Sequence, residues 1–138
     1  MTLENLEIFG KGKLIEAHSN ESTKIEIKGC TLAVQGQIGE VNHNVSVAII
    51  NSQIDWYQGN KGITIKDGNL TLINNEVHSS SPLNSEFPFV ENIGGSLAIR
   101  NNSFEFLSMS KPVVETTLLA NLQIEIASNK FKMEESSS

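Results

Sequence analysis

A chain of 138 residues is long enough to form one domain with a sizeable core. Its net charge of −6, its pI near 5.0 and its ten basic residues argue against nucleic acid as the main partner, because phosphate contacts require clustered cations. The single cysteine excludes an intramolecular disulfide, and no apolar stretch is long enough to predict a membrane span.

The N-terminal residues do not have the pattern of a signal peptide. Glu4 and Glu7 stand where such a peptide needs a basic region followed by an apolar run. If the chain is full length, we expect a cytoplasmic protein. A piece of a larger secreted or virion protein would have the same features, so the localisation stays open.

A degenerate repeat runs along the chain. Five segments align without gaps: residues 25–32, 47–54, 70–77, 97–104 and 124–131. Their first residues lie 22, 23, 27 and 27 positions apart, a spacing typical of solenoid coils. A looser sixth copy begins at Leu6.

Each copy predicts a strand, a sharp corner and a second strand. Apolar residues occupy the first and third positions, as in a strand with one buried face. Two turn-forming residues follow, and another apolar residue comes two positions later. Asn suits such a corner because it tolerates left-handed backbone angles, and stacked corner amides can hydrogen-bond from coil to coil. We expect Asn75, Asn102 and Asn129 to form one such ladder.

The repeat predicts the fold class. A third strand per coil is expected within residues 62–65, 87–93 and 113–119. Helix is disfavoured because apolar residues recur at every second position, and a β-sandwich explains the column-by-column agreement less well. We predict an all-β, single-stranded parallel β-helix (β-solenoid) of about six coils over residues 1–133, with a disordered tail at 134–138.

The pattern apolar-x-apolar-x-Asn-Asn-x-apolar in residues 70–77 and 97–104 resembles the repeat of right-handed parallel β-helices of the pectate-lyase-like superfamily. The resemblance covers about residues 6–133 and implies the architecture and a right-handed coil. For the enzymes of that superfamily it implies clustered carboxylates, which either hold calcium beside a basic residue that takes the proton or act themselves as acid and base. This chain has two aspartates, Asp55 and Asp67, in different repeat columns. The resemblance therefore implies a fold and leaves the activity open.

The ninth position of the copies forms an outward-facing column of charges. We expect Asp55 and Glu105 on either side of His78, about 4.8 Å away per coil, with Glu76 beside it on the same strand face. Flanking carboxylates favour the imidazolium form of the histidine. These four residues are the catalytic candidates, as a surface acid–base or metal site. A charge-alternating ladder that fixes the coil register is the favoured interpretation, so we predict no catalytic residue, no metal and no cofactor.

Cys30 and the other two histidines carry no predicted chemistry. Cys30 occupies an Asn-like corner position without a histidine placed to activate it, so an inert corner residue is expected. His18 and His43 fall in linking segments without the spacing of metal ligands.

Two longer coils indicate a binding face. Extra residues lie at 78–89 and 107–114, and insertions at corresponding points of consecutive repeats generally project on one side. Loop growth without a function is the alternative. An outward-facing tyrosine before these insertions could stack on a sugar ring. The predicted contact residues are Tyr57, Ser80, Asn84, Glu86, Phe87, Ser108, Met109 and Lys111.

The ends of a solenoid expose unpaired strands, which invite association unless a cap covers them, and the sequence has no evident capping helix. The favoured function is a non-catalytic β-helical scaffold or protein-interaction module, with self-association as one mode. The alternative is a carbohydrate-binding or carbohydrate-cleaving module, such as a fragment of a depolymerase or a tailspike-like protein. A protein or a second copy is the expected partner, with carbohydrate as the alternative. Neither nucleic acid nor a membrane is expected.

Overall fold

The computed structural model describes residues 1–10, 13–16, 21–56, 61–79, 87–107, 112–117 and 123–134. Within these ranges the chain forms 17 strands, and each strand pairs in parallel with the equivalent strand of the next or previous coil. None of the described segments is a helix of the length and hydropathy needed to cross a bilayer.

The strands follow one another coil by coil. They are β1 (Thr2–Glu4), β2 (Glu7–Gly10) and β3 (Ile15–Glu16); β4 (Thr23–Lys28), β5 (Thr31–Val34) and β6 (Gly39–Val41); β7 (Val45–Ile50), β8 (Gln53–Trp56) and β9 (Ile63–Ile65); β10 (Asn69–Ile73), β11 (Glu76–Ser79) and β12 (Val90–Asn92); β13 (Ser96–Arg100), β14 (Ser103–Leu107) and β15 (Val114–Thr116); and β16 (Ile124–Ala127) and β17 (Lys130–Glu134).

Three parallel sheets result from this order. The first strands of the coils form sheet A (β1-β4-β7-β10-β13-β16), the second strands form sheet B (β2-β5-β8-β11-β14-β17), and the third strands form sheet C (β3-β6-β9-β12-β15). The predicted all-β parallel solenoid is therefore confirmed. The coil count differs slightly from the prediction of about six, since the last coil has only two strands in the described part of the chain. Of the predicted tail, Glu134 ends β17, and residues 135–138 lie outside the described residues.

The third strands confirm three predicted segments and add two. β9, β12 and β15 lie within the segments that the sequence indicates. β3 and β6, with two and three residues, were not predicted. Their segments, with Gly39 between Ile38 and Glu40 and with only two residues in β3, lack the longer apolar runs that marked the later third strands.

A column of left-handed residues turns the chain from sheet A into sheet B. Each coil places one residue with a φ between 52° and 61° at this corner. The six residues are Asn5, Gly29, Asn51, Asn74, Asn101 and Ser128. Glycine and asparagine adopt this conformation at the lowest cost, so their recurrence in the sequence fixes where every coil bends.

The next residue of each corner forms the predicted amide ladder. Nδ2 of Asn75 donates to Oδ1 of Asn102 at 3.0 Å, and Nδ2 of Asn102 donates to Oδ1 of Asn129 at 3.1 Å. The same oxygens accept the backbone N–H groups of Asn75 and Asn102, both at 2.9 Å. Ser52 and Cys30 continue the column toward the first coil. The ladder thus satisfies buried polar groups that a corner would otherwise leave unpaired.

The predicted start of the first copy at Leu6 is wrong. Leu3 pairs with Ile27, and Ile8 pairs with Leu32, so the repeat pattern of the first coil spans residues 1–8. The corner falls at Asn5, whose φ is 55°, and Leu6 takes the position that asparagine holds in later coils. This loss of the second corner amide explains why the copy looks shifted in the sequence.

Aliphatic and aromatic side chains fill the interior. Trp56 and Phe106 are fully buried, and their ring centroids lie 5.2 Å apart. Phe89 joins them, 5.3 Å from Trp56, and Phe104 lies 5.9 Å from Phe89. Offset and edge-on aromatic contacts of this kind add about 0.5–1.5 kcal/mol per pair beyond area burial. The aromatic cluster therefore anchors the middle and later coils.

Candidate functional site

The outward face of sheet B carries the predicted column of charges. His78 pairs in register with Asp55 on one side and with Glu105 on the other. Nδ1 of His78 lies 3.8 Å from Oε2 of Glu105, and Nζ of Lys132 lies 3.8 Å from Oε1 of the same carboxylate. The predicted register is confirmed, and a protonated His78 makes the column alternate in charge.

The openness of this surface limits the chemistry of the column. The side chains of His78 and Glu105 are 51% and 39% exposed. Glu76 is exposed as well, and no ion pair joins it to His78 within the described residues. Ion pairs in such positions contribute less than about 1 kcal/mol each because water screens them. The arrangement can therefore fix register, while nothing in it excludes water from a reacting group.

A shallow groove lies beside this column, toward the first coil. It has a volume of about 470 Å³, and its lining includes Phe9, Gln53, Asp55 and His78. Phe9 is 69% exposed and pairs in register with Ala33 on the outward face. Sequence reasoning missed Phe9 because it shifted the first copy. Aligning the first coil on the corner at Asn5 would have placed the ring in this column.

A histidine–aspartate pair forms a second polar site, at the turn from sheet C into sheet A. Nδ1 of His43 lies 2.7 Å from Oδ2 of Asp67, and Oδ1 of Asp67 accepts the backbone N–H of Gly68 at 2.8 Å. The histidine and this N–H lower the pKa of the Asp67 carboxyl, in that order of importance. His43 lies in a segment between strands, as the sequence indicates, but sequence reasoning missed its contact with Asp67. The signal was the separation of 24 residues, which is about one coil.

The surroundings of this pair are polar and open. A groove of about 300 Å³ is lined by His43 and Asp67 together with Ser46 and Asn69, and Nδ2 of Asn69 donates to Oγ of Ser46 at 3.2 Å. The side chains of His43 and Asp67 are largely exposed. The pair therefore links two neighbouring turns, and its contribution is subject to solvent screening.

Cys30 is buried in the corner ladder, as predicted for an inert corner residue. Its thiol contacts the backbone oxygens of Lys28 and Leu3 at 3.4 and 3.5 Å. Its backbone N–H donates to Oγ of Ser52 at 3.1 Å. Backbone oxygens of two neighbouring strands therefore enclose the thiol.

The outward face of sheet C is mostly acidic. Its central column is Glu16, Glu40, Thr64, Glu91 and Glu115. Lys13 and Lys66 lie 3.2 and 3.5 Å from the Glu40 carboxylate, and Lys13 is the main cause of the lowered pKa of Glu40. Across the described ranges, no group of three or more His, Cys, Asp or Glu side chains is placed to hold a metal ion.

The last coil exposes residues whose columns are buried in the interior coils. Ile126 continues the inward column of Ile99, and Phe131 continues that of Phe104. Ile99 and Phe104 are at most 1% exposed, whereas Ile126 and Phe131 are 45% and 53% exposed. The Phe131 ring stacks on Phe104 with 5.1 Å between centroids and 11° between planes, so one ring face packs on the core. We call Ile126, Phe131 and the outer edges of β16 and β17 the last-coil surface.

Most of the predicted contact residues fall outside the described part of the chain. These are Tyr57, Ser80, Asn84, Glu86, Ser108, Met109 and Lys111. Phe87 is described: it is half-buried, and Nζ of Lys61 lies 5.9 Å from its ring centroid. That contact is a cation–π interaction at the turn into sheet C. The binding role of all eight residues stays a prediction.

Comparison with known proteins adds no relative. No protein-family model, no curated protein and no solved structure matches this chain. The functional argument therefore depends on the geometry of the molecule itself.

Proposed function

We propose that this chain is a non-catalytic β-solenoid scaffold that binds protein chains through its last-coil surface. The single observation that carries the proposal is the exposure of Ile126 and Phe131, in columns that the interior coils bury fully. Apolar side chains flanked by unpaired strand edges favour pairing with a further strand, because that strand covers the side chains and satisfies the backbone groups together.

The polar sites support a non-catalytic role. His78 and His43 each lie on open surface beside one carboxylate within 4 Å, those of Glu105 and Asp67. General acid–base catalysis depends on groups whose pKa values are tuned by burial and neighbours, in a site from which water is excluded. The outward surfaces described here do not provide such an enclosure.

Self-association is the most direct test of this proposal, because a second copy has strands with the same pattern of apolar residues and corners. Sedimentation over a wide concentration series should show mass increasing with concentration. A double variant, Ile126→Ser with Phe131→Ser, should remain monomeric at concentrations where the original chain associates. Thermal unfolding of the double variant at low concentration checks that the coils still fold.

Ile93→Ser is the matched control. Ile93 is 45% exposed, like Ile126, but follows β12 in the fourth coil, away from both ends. It should leave the association unchanged. A chain that stays monomeric throughout, or an assembly that persists in the double variant, would contradict the proposal.

We also propose that the chain is a divergent relative of the pectate-lyase-like superfamily, with a right-handed coil. Three parallel sheets and an asparagine ladder at the corner between the first two support this relationship. No family model matches the chain, so the test of this relationship is the handedness of the coil in an experimental structure. A left-handed coil would contradict it.

Carbohydrate binding is the second candidate, favoured by the groove beside Phe9. An exposed aromatic ring next to Gln53, Asp55 and His78 combines a stacking surface with hydrogen-bonding groups. Calorimetric titration with a mixture of acidic oligosaccharides would show saturable heat if the groove binds them, and Phe9→Ala should abolish it. Absence of heat with the original chain would remove this candidate.

A further inference from the structure

We infer that the last-coil surface binds the first coil of a second copy, head to tail, so that sheets A and B continue from one copy into the next. The inference rests on the proposed function and adds the partner and the register. Three features support it: matching strand positions, complementary charge, and the hydrogen-bonding pattern of the corners.

The strand positions match because both end coils follow the same columns. Leu3 and Ile126 belong to one inward column of sheet A, and Ile8 and Phe131 belong to one inward column of sheet B. Stacked in the register of the interior, Ile126 would lie on Leu3 of the second copy, and Phe131 on Ile8. Leu3 and Ile8 are only partly buried, so the contact would cover apolar surface on both copies.

The outward charges of the two end coils are complementary. The first coil presents Glu4, Glu7 and Glu16 on its strands, and the last coil presents Lys130 and Lys132 on sheet B, while Glu125 on sheet A is paired with Arg100 of the same copy. Glu7 and Lys130 occupy the same outward column, at its two ends. Head-to-tail stacking would therefore place Lys130 directly beside Glu7 of the second copy, and opposite charges in adjacent strands are favourable.

The same charges disfavour the two symmetric arrangements. Two last coils with sheet B against sheet B would bring Lys130 and Lys132 of one copy close to those of the other. Two first coils would bring together Glu4, Glu7 and Glu16 from both. Like charges on facing strands are destabilising, so the head-to-tail arrangement is selected among the three. A contact of this type does not close on itself, and it produces open chains of copies.

The corner hydrogen bonds extend across such a joint. Between interior coils, the left-handed residue donates its N–H forward, as Asn101 does to the oxygen of Ala127 at 3.2 Å. The first residue of the sheet B strand donates backward, as Lys130 does to the oxygen of Asn102 at 2.9 Å. In the joint, Ser128 would donate to Glu4 of the second copy, and Glu7 of that copy would donate to Asn129. The joint therefore adds backbone bonds of the kind that hold every other pair of coils.

A charge exchange tests the register. Lys130→Glu and Glu7→Lys should each weaken association roughly tenfold, because each places like charges side by side in the joint. The double variant that carries both changes should associate as the original chain does, and so should an equimolar mixture of the two single variants. Analytical ultracentrifugation at fixed ionic strength measures all four samples.

Glu76→Lys is the matched control. Glu76 lies in the same outward column as Glu7, is exposed, and lies in the fourth coil, so the substitution changes the net charge equally without touching the joint. It should leave association unchanged. Two results would overturn the head-to-tail register and leave the proposed function standing. In the first, association depends on Phe131 but is unchanged by Lys130→Glu and Glu7→Lys. In the second, association stops at a closed dimer. Association that is independent of Ile126 and Phe131 would overturn the proposed function itself.

Discussion

The middle coils and the last coil contain the same columns of side chains but differ in what covers them. Phe104 has a coil on either side and is buried. Phe131, one coil later, packs on Phe104 on one side only, and its side chain is 53% exposed. In this fold, a core side chain is therefore buried by the coils stacked on either side of it along the solenoid axis. The same repeat pattern gives a buried core in the middle coils and exposed apolar side chains in the last coil.

Truncating one aromatic ring in each region should give the largest contrast. Phe104→Ala removes a fully buried ring from the aromatic cluster and should lower the free energy of unfolding by about 3–5 kcal/mol. Phe131→Ala removes a half-exposed ring and should cost about 1 kcal/mol, most of it the stacking contact. Urea unfolding at low protein concentration compares the two variants. Equal losses would show that the last coil is covered by something else.

The corner ladder should show the same contrast on a smaller scale. Asn102→Ala leaves the backbone N–H and the amide of Asn75 without their acceptor in a buried site, which should cost about 3 kcal/mol. Asn129→Ala should cost about 1 kcal/mol, since the end of the ladder is only half-buried and water can replace the lost oxygen. Thermal unfolding of both variants provides the measurement. A cost at Asn129 that equals the cost at Asn102 would contradict the account of an open end.

The exposed pair of His43 and Asp67 should contribute least to the stability of the fold. This contribution should be present only in a defined pH range. Because the folded-state pKa of Asp67 is lowered, its contribution is present above the ordinary carboxyl pKa of about 3.9 and is lost as the pH falls through the lower folded-state value. The thermal midpoint of Asp67→Asn should therefore lie slightly below that of the original chain near neutral pH and converge with it in acid. Asp55→Asn, the other aspartate, controls for net charge. Parallel curves over the whole range would contradict this assignment.

The sequence predicted the repeated part of the molecule well. The alternation of apolar residues and the paired corner residues placed sheets A and B, and the asparagines at 75, 102 and 129 placed the ladder. These features repeat in every coil because each coil satisfies the same physical requirement. The first coil was misplaced because Leu6 stands where later coils have a small polar residue, which hid the corner at Asn5.

The candidate sites were less predictable because they depend on contacts that the repeat does not encode. The pair of His43 and Asp67 lies at the middle of two three-residue turns, outside the eight-residue segments that the sequence alignment compared. Ile126 and Phe131 follow the core pattern of Ile99 and Phe104, so the sequence classes them as core. Only the stacking order in three dimensions shows that no described coil follows to cover them.

The most direct test of the open last coil is amide hydrogen exchange, followed by NMR at low and high protein concentration. The account predicts that the N–H groups of Ser128 and Glu7, which would donate across the joint, gain protection together as the concentration rises. The amide of Asn101, which already donates to Ala127, should not change. If the mass increases while Ser128 and Glu7 exchange as fast as before, the copies associate through another surface, and the central claim is wrong.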